Sequence, residues 1–169
     1  MSSSATSLNI AILTLSDTRT LESDTSGAYL VEAVSSSGHQ VVARDLIKDD
    51  IYLQRAVVSQ WIADENVHVI LLTGGTGFTY RDSTPEAVSV LFDKTVDGFG
   101  ELFRYLSYQE IGTSTIQSRA LAGFANRTAI FCLPGSTGAC RTAWEGIIQS
   151  QLDSTFKPCN FVKHLTGEL

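Results

Sequence analysis

Short apolar runs alternate along the chain with segments of helical spacing. Ile10 to Leu15 (IAILTL), Val41 to Ile47, Val67 to Leu72 (VHVILL) and Thr128 to Leu133 (TAIFCL) predict strands. Several are apolar at consecutive positions, as strands covered on both faces tend to be. Asp24 to Ser37 carries Leu30, Val31 and Val34 and stops at Gly38, a residue suited to a helix C-terminus. Asp50 to Ala63 repeats Leu53, Val57 and Trp61 every four residues, with Val58 and Ile62 beside them. Thr84-Pro85-Glu86 predicts a helix start, with a hydroxyl cap, proline in the first turn and an acid favoured by the helix dipole. Ser136 or Thr137 opens a further helix through Trp144 to Ile148.

Strand–helix–strand order implies right-handed crossovers. The expected fold is therefore α/β: three-layer, doubly wound, with a mainly parallel sheet flanked by helices. No repeat or linker interrupts the pattern. The Ser-rich start sets residues 1–8 apart as a flexible N-terminal segment, and 9–169 form a single domain. At 169 residues the chain is long enough to close its own core. No apolar run reaches the roughly 20 residues of a membrane span, and the opening MSSSATS lacks the basic region of a signal peptide. Three cysteines, Cys132, Cys140 and Cys159, have no CxxC spacing, which speaks against a disulfide framework or zinc site and for a reducing cytoplasm. His39, His68 and His164 are too scattered to suggest a metal.

Eighteen acidic against twelve basic residues give a net charge of −6. Nucleic acid is not an expected partner, because no basic face is visible. If the protein holds phosphates, it must do so with backbone N–H groups, helix N-termini and a metal ion rather than a broad cationic field.

Two glycine-rich stretches follow strands, where ligands of parallel sheets bind. The first is Thr73-Gly74-Gly75-Thr76-Gly77, continuing to Tyr80-Arg81-Asp82-Ser83-Thr84-Pro85-Glu86-Ala87. Its glycines allow amides to converge on one concavity, Arg81 offers a fork for phosphate, and Asp82 a carboxylate for Mg²⁺. It is neither a Walker A loop nor GxGxxG. The second, Leu133-Pro134-Gly135-Ser136-Thr137-Gly138, reads as an anion seat or, taken alone, an ordinary helix cap. Asp49 and Asp50 follow the second strand; as a pair they read as N-caps, but a carboxylate there converges with Asp82 if the strand ends meet. Ser16-Asp17, after the first strand, is equally open. Thr113-Ser114-Thr115 with Ser118-Arg119, after a long helix, either grips a polar ligand or solvates a surface.

At these motifs the sequence resembles the MoaB/MogA family of molybdenum cofactor biosynthesis proteins, from about Ile10 to His164. LTLSD (13–17), TGGTG (73–77), RDSTPEA (81–87), GFGELFR (98–104), GTSTIQSR (112–119) and LPGSTGACRTAWE (133–145) carry the resemblance, and the last three, with KPCNF (157–161), point to the MoaB branch. The resemblance implies a homo-oligomer, trimer or hexamer, that adenylylates molybdopterin with ATP and Mg²⁺ and releases pyrophosphate. Asp49 and Asp82 then serve metal and catalysis. Ser16, Asp17, Thr73, Gly74, Gly75, Thr76, Gly77, Arg81, Thr84, Ser114, Thr115, Ser118, Arg119, Pro134, Gly135, Ser136 and Thr137 bind substrate. Some relatives of this branch have lost an acid or the arginine. This chain keeps Asp49, Arg81, Asp82, Thr84 and Pro85, which favours an enzyme over the alternative, a non-catalytic oligomer binding molybdopterin or a purine nucleotide. Its PGST differs from the PGxP form common in relatives. ATP and GTP are not distinguished by these motifs.

Overall fold

In the computed structural model, which describes residues 5–167, six strands form one sheet: β1 (Asn9–Leu15), β2 (Gln40–Ile47), β3 (Val69–Thr73), β4 (Lys94–Thr95), β5 (Leu121–Ala125) and β6 (Thr128–Leu133). Their order is β2-β1-β3-β6-β5-β4. β2, β1, β3 and β6 run parallel, and β5 and β4 add an antiparallel edge. The main helices are α1 (Thr25–Ser36), α2 (Ile51–Ala63), α3 (Thr84–Val88), α4 (Asp97–Ile111) and α5 (Thr137–Ala143). A π-type turn, Trp144–Ile148, links α5 to α6 (Gln149–Gln151), and α7 spans Val162–Thr166. This is the expected three-layer α/β fold with a mainly parallel sheet.

The consecutive apolar runs follow from two cores, one on each face of the sheet. Ile10, Ile12, Leu71 and Phe131 pack with Leu30, Val34, Phe103 and Trp144 on one face. Ala11, Leu13, Ile70 and Cys132 pack with Val58 and Val88 on the other. Alternate residues of one strand point to opposite faces, so only a doubly covered strand is apolar throughout.

The structure alters several expectations. The third strand begins at Val69 rather than Val67, because the Val67 amide is taken by the carbonyl of Asp64 in a turn. The β5–β6 hairpin was not anticipated. Its turn residues Asn126 and Arg127 both have positive φ (47° and 65°), without the glycine that usually announces such a turn. α3 has Ser83, not Thr84, as its N-cap, and the Thr84 hydroxyl instead donates to the Gly74 carbonyl at 2.9 Å. Of the N-terminal segment expected to be flexible, residues 6–8 pack against the domain. The Thr6 amide donates to Ser154 Oγ, and Leu8 is fully buried. Residues 1–4 lie outside the described residues.

Two histidines fasten the start of β1. The Leu8 amide donates to His39 Nδ1 at 3.2 Å and the Asn9 amide to His68 Nδ1 at 2.9 Å. An imidazole accepts at Nδ1 only when neutral there. Burial lowers the pKa of both rings, and Asp153 partly offsets the shift at His39. A depressed folded-state pKa means that this stability is complete above the unfolded value, about 6.5, and is lost as pH falls through the lower folded value. Melting temperature is therefore expected to fall below about pH 6.5. The fall should be shallower in the His39→Gln/His68→Gln variant; an identical pH profile would deny the histidines this role.

Candidate functional site

Because β2, β1, β3 and β6 are parallel, their carboxyl ends emerge on one edge of the sheet. The segments after them, Ser16–Arg19, Asp49, Gly74–Gly77 and Pro134–Ser136, line one cleft of about 650 Å³. The strand order reverses beside β1, the place where a doubly wound sheet opens a crevice.

The two glycine loops are locked together. The Gly74 amide donates to the Leu133 carbonyl at 3.0 Å, and Thr73 Oγ1 to the Pro134 carbonyl at 2.9 Å. Ser26 Oγ, from α1, donates to the Gly135 carbonyl at 2.8 Å. Gly74 (φ +111°) and Gly75 (φ +68°) adopt backbone conformations that disfavour side chains. A Cβ on Gly74 would lie 2.4 Å from the Leu15 carbonyl oxygen, and one on Gly75 2.3 Å from Thr84 Oγ1. The turn of 73–77 thus presses against β1 and α3.

Asp49 is the chemically unusual residue. It is half-buried beside Gly75, and its Oδ1 is buried with no hydrogen-bond partner. Burial, then repulsion from Asp17 and Asp82, push its pKa up to about 6, against an opposing pull from Arg81. Asp82 also lines the cleft, but its Oδ2 is committed to the Thr79 amide (2.9 Å) and hydroxyl (2.8 Å). Arg81 grips Asp17 through two bonds of 2.8 Å, which hold the Asp17 pKa below its usual value, and Asp17 Oδ1 also accepts the Asp49 amide at 3.2 Å. Asp50, by contrast, caps α2. The acids after β1, β2 and β3 therefore converge.

The other sequence candidates divide into lining and bracing residues. Ser16, Ser114, Ser118, Pro134, Gly135 and Ser136 line the cleft with the 73–77 loop. Thr84 is fully buried and braces that loop. Thr115 is buried and donates to the Arg104 carbonyl. Arg119 is spent on the Gly77 and Asp82 carbonyls and on Glu86. The Thr137 hydroxyl meets Thr25 and Ser26 rather than the cleft.

Sequence reading missed the buried brace Asp24, which accepts from Thr14 Oγ1 (2.6 Å) and the Gly27 amide (2.9 Å) and pairs with Arg44 (3.3 Å). It also missed Arg19, Phe103, Ser107 and Gln117 in the lining. No local pattern announces the contacts of Asp24 with Thr14 of β1 and Arg44 of β2, and no motif marks Arg19.

Among the described residues no three His, Cys, Asp or Glu side chains gather into a metal cluster, and no helix is long and apolar enough to cross a membrane.

Comparison with known proteins agrees with this fold. Residues 11–154 match the family described as a probable molybdopterin binding domain. The chain is 58% identical over 156 residues to molybdenum cofactor biosynthesis protein B of Escherichia coli strain K12, covering 92% of each chain. A crystal structure of a molybdenum cofactor biosynthesis protein B superposes with a TM-score of 0.86 at 44% identity, over 89% of this chain and 94% of that one. The tungsten cofactor synthesizing protein MoaB of Pyrococcus furiosus superposes with a TM-score of 0.76 at 34% identity, over 86% and 92%. With its twin glycine loops fused at the tips of a doubly wound sheet, the chain belongs to the MoaB/MogA family of molybdenum cofactor biosynthesis proteins.

Proposed function

We propose that the protein is a Mg²⁺-dependent molybdopterin adenylyltransferase of the cytoplasm. The observation that carries this reading is Asp49, a carboxylate with an orphaned buried oxygen set in the cleft where both glycine loops meet. A buried acid without a partner is costly unless a cation completes it. Asp49 and Asp82 offer hard oxygen donors, and two carboxylates suit Mg²⁺, which keeps waters and takes substrate phosphates for its remaining ligands. When bound, that ion supplies positive charge to a triphosphate in a protein whose own net charge is −6.

In the reaction an oxygen of the terminal phosphate of molybdopterin forms a bond to the α-phosphorus of ATP. The bond from that phosphorus to the α–β bridging oxygen breaks, and pyrophosphate leaves with its electron pair. Such transfers ask the protein mainly for alignment and charge stabilisation. The amides of residues 75–77 and of Gly135 and Ser136 hold phosphate oxygens, Thr84 and Ser26 hold the loops that carry those amides, and Arg81 keeps Asp17 turned toward the Asp49 backbone. The stripe of exposed apolar residues Leu102, Tyr105, Tyr108 and Ile111 on α4 supports a homo-oligomer, trimer or hexamer.

The test is pyrophosphate release from ATP by the purified protein with molybdopterin and Mg²⁺. Multiple turnover, abolished by chelation, is the expected result. Tight binding of both ligands without release would instead favour a non-catalytic carrier.

A further inference from the structure

The cleft contains a cation that the proposed mechanism does not use. Arg19 lines it and is exposed. The other arginines placed around the cleft are spent. Arg81 is clamped on Asp17, Arg119 on Glu86 and two carbonyls, and Arg44 on Asp24. None of the ion pairs among the described residues includes Arg19. Its nearest polar side-chain contact is Ser26 Oγ, at a long 3.4 Å.

The position of Arg19 is built rather than incidental. Ser16 Oγ accepts the amides of Thr18 (3.2 Å) and Arg19 (3.0 Å), so the segment leaving β1 is folded back into a turn. Through Ser26, whose hydroxyl binds the Gly135 carbonyl, Arg19 belongs to the wall formed by the second glycine loop. Two of the acids belong to the first loop, Asp49 against Gly75 and Asp82 against Gly77, while Asp17, two residues before Arg19, is taken up by Arg81. The cleft is therefore polarised, with carboxylates along the first loop and one unpaired guanidinium beside the second.

We propose that Arg19 is the anion anchor of the cleft, a binding residue whose guanidinium receives a phosphate group of the ligand. A guanidinium presents paired N–H donors to phosphate oxygens, and charge-assisted bonds of this kind are worth about twice a neutral one. In an acidic protein an unpaired cation beside the second glycine loop selects for phosphorylated ligands over their uncharged counterparts. This inference rests on reading the cleft as a phosphate-ligand site, whichever reaction follows. The phosphate comes either from the nucleotide or from the pterin.

The experiment is calorimetric titration of wild type and Arg19→Gln with ATP, molybdopterin, inorganic pyrophosphate and adenosine, with melting temperature recorded to confirm the fold. Arg19→Gln is expected to weaken at least one phosphate-bearing ligand by ~10-fold or more and to leave adenosine unchanged. A loss confined to ATP assigns Arg19 to the nucleotide phosphates, and one confined to molybdopterin assigns it to the pterin phosphate. Binding of all three phosphate-bearing ligands within about twofold of wild type would overturn the proposal, as would an equal loss for adenosine. Pyrophosphate release by wild type is scored separately. Its absence alongside an intact Arg19 effect would sink adenylyl transfer and leave the anchor standing.

Discussion

Asp49→Asn is expected to lower turnover by ~10²-fold or more while making the ligand-free protein more stable. The two effects have one cause. The buried Oδ1 of Asp49 has no partner, and Asp17 and Asp82 press further negative charge upon it. With its pKa raised from 3.8 to about 6, Asp49 makes the folded state lose stability as pH rises across that interval, and the loss is complete above it. Discounted for the solvent that still reaches the group, the strain relieved by the amide is about 1 kcal/mol, or ~3 °C in melting temperature. That gain should be absent at pH 3.8, grow toward pH 6 and level off above it. The histidines that hold β1 act with the opposite sign at the upper end of this window, so the comparison is best made between variants at each pH. Added Mg²⁺ should raise the melting temperature of wild type and not that of the variant. A variant that keeps wild-type turnover would remove Asp49 from the reaction. Asp82→Asn should also cost at least ~10²-fold, with a smaller stability gain, since its carboxylate already bonds Thr79.

Gly74→Ala should be among the most damaging single-methyl changes in the protein. It combines a backbone at φ +111° with a Cβ 2.4 Å from the backbone oxygen of Leu15, which cannot swing aside as a flexible side chain would. The left-handed conformation costs roughly 1–2 kcal/mol for a residue with a side chain, and the overlap with β1 a similar amount. A total near 3 kcal/mol corresponds to a drop of ~8 °C in melting temperature, together with loss of ligand binding as the loop moves off Leu133. Gly138→Ala is the internal control. Its Cβ meets nothing within 4 Å, and the residue lies within α5, so it should be neutral or stabilising by up to about 1 kcal/mol. Equal melting temperatures for the two variants would show that the 73–77 turn is not under the constraint described.

Much of the lining of the candidate cleft was legible in the sequence, and the residues show why. TGGTG and PGST each follow an apolar run, and a parallel sheet sends all such runs out at one edge, so their meeting is a topological consequence. Asp49 and Asp82 were legible for the same reason. The destinations of individual side chains were not. Thr84, Thr137, Arg81 and Arg119 have the chemistry of ligand-binding groups, yet the fold uses them to fasten loops. A hydroxyl or guanidinium binds whichever acceptor lies nearest, and that acceptor belongs to a distant part of the chain.

The sequence by itself determined the α/β layering, the parallel core of the sheet, the position of both glycine loops and the acids beside them, because hydrophobic period and glycine placement are local properties. The tertiary structure alone decided the antiparallel edge, whose Asn126-Arg127 turn lacks a glycine signal, and the pairing of Arg81 with Asp17. It alone left Asp49 Oδ1 without a partner and Arg19 without a carboxylate. Those outcomes depend on distances between residues far apart in the chain, which close packing fixes and no local pattern records.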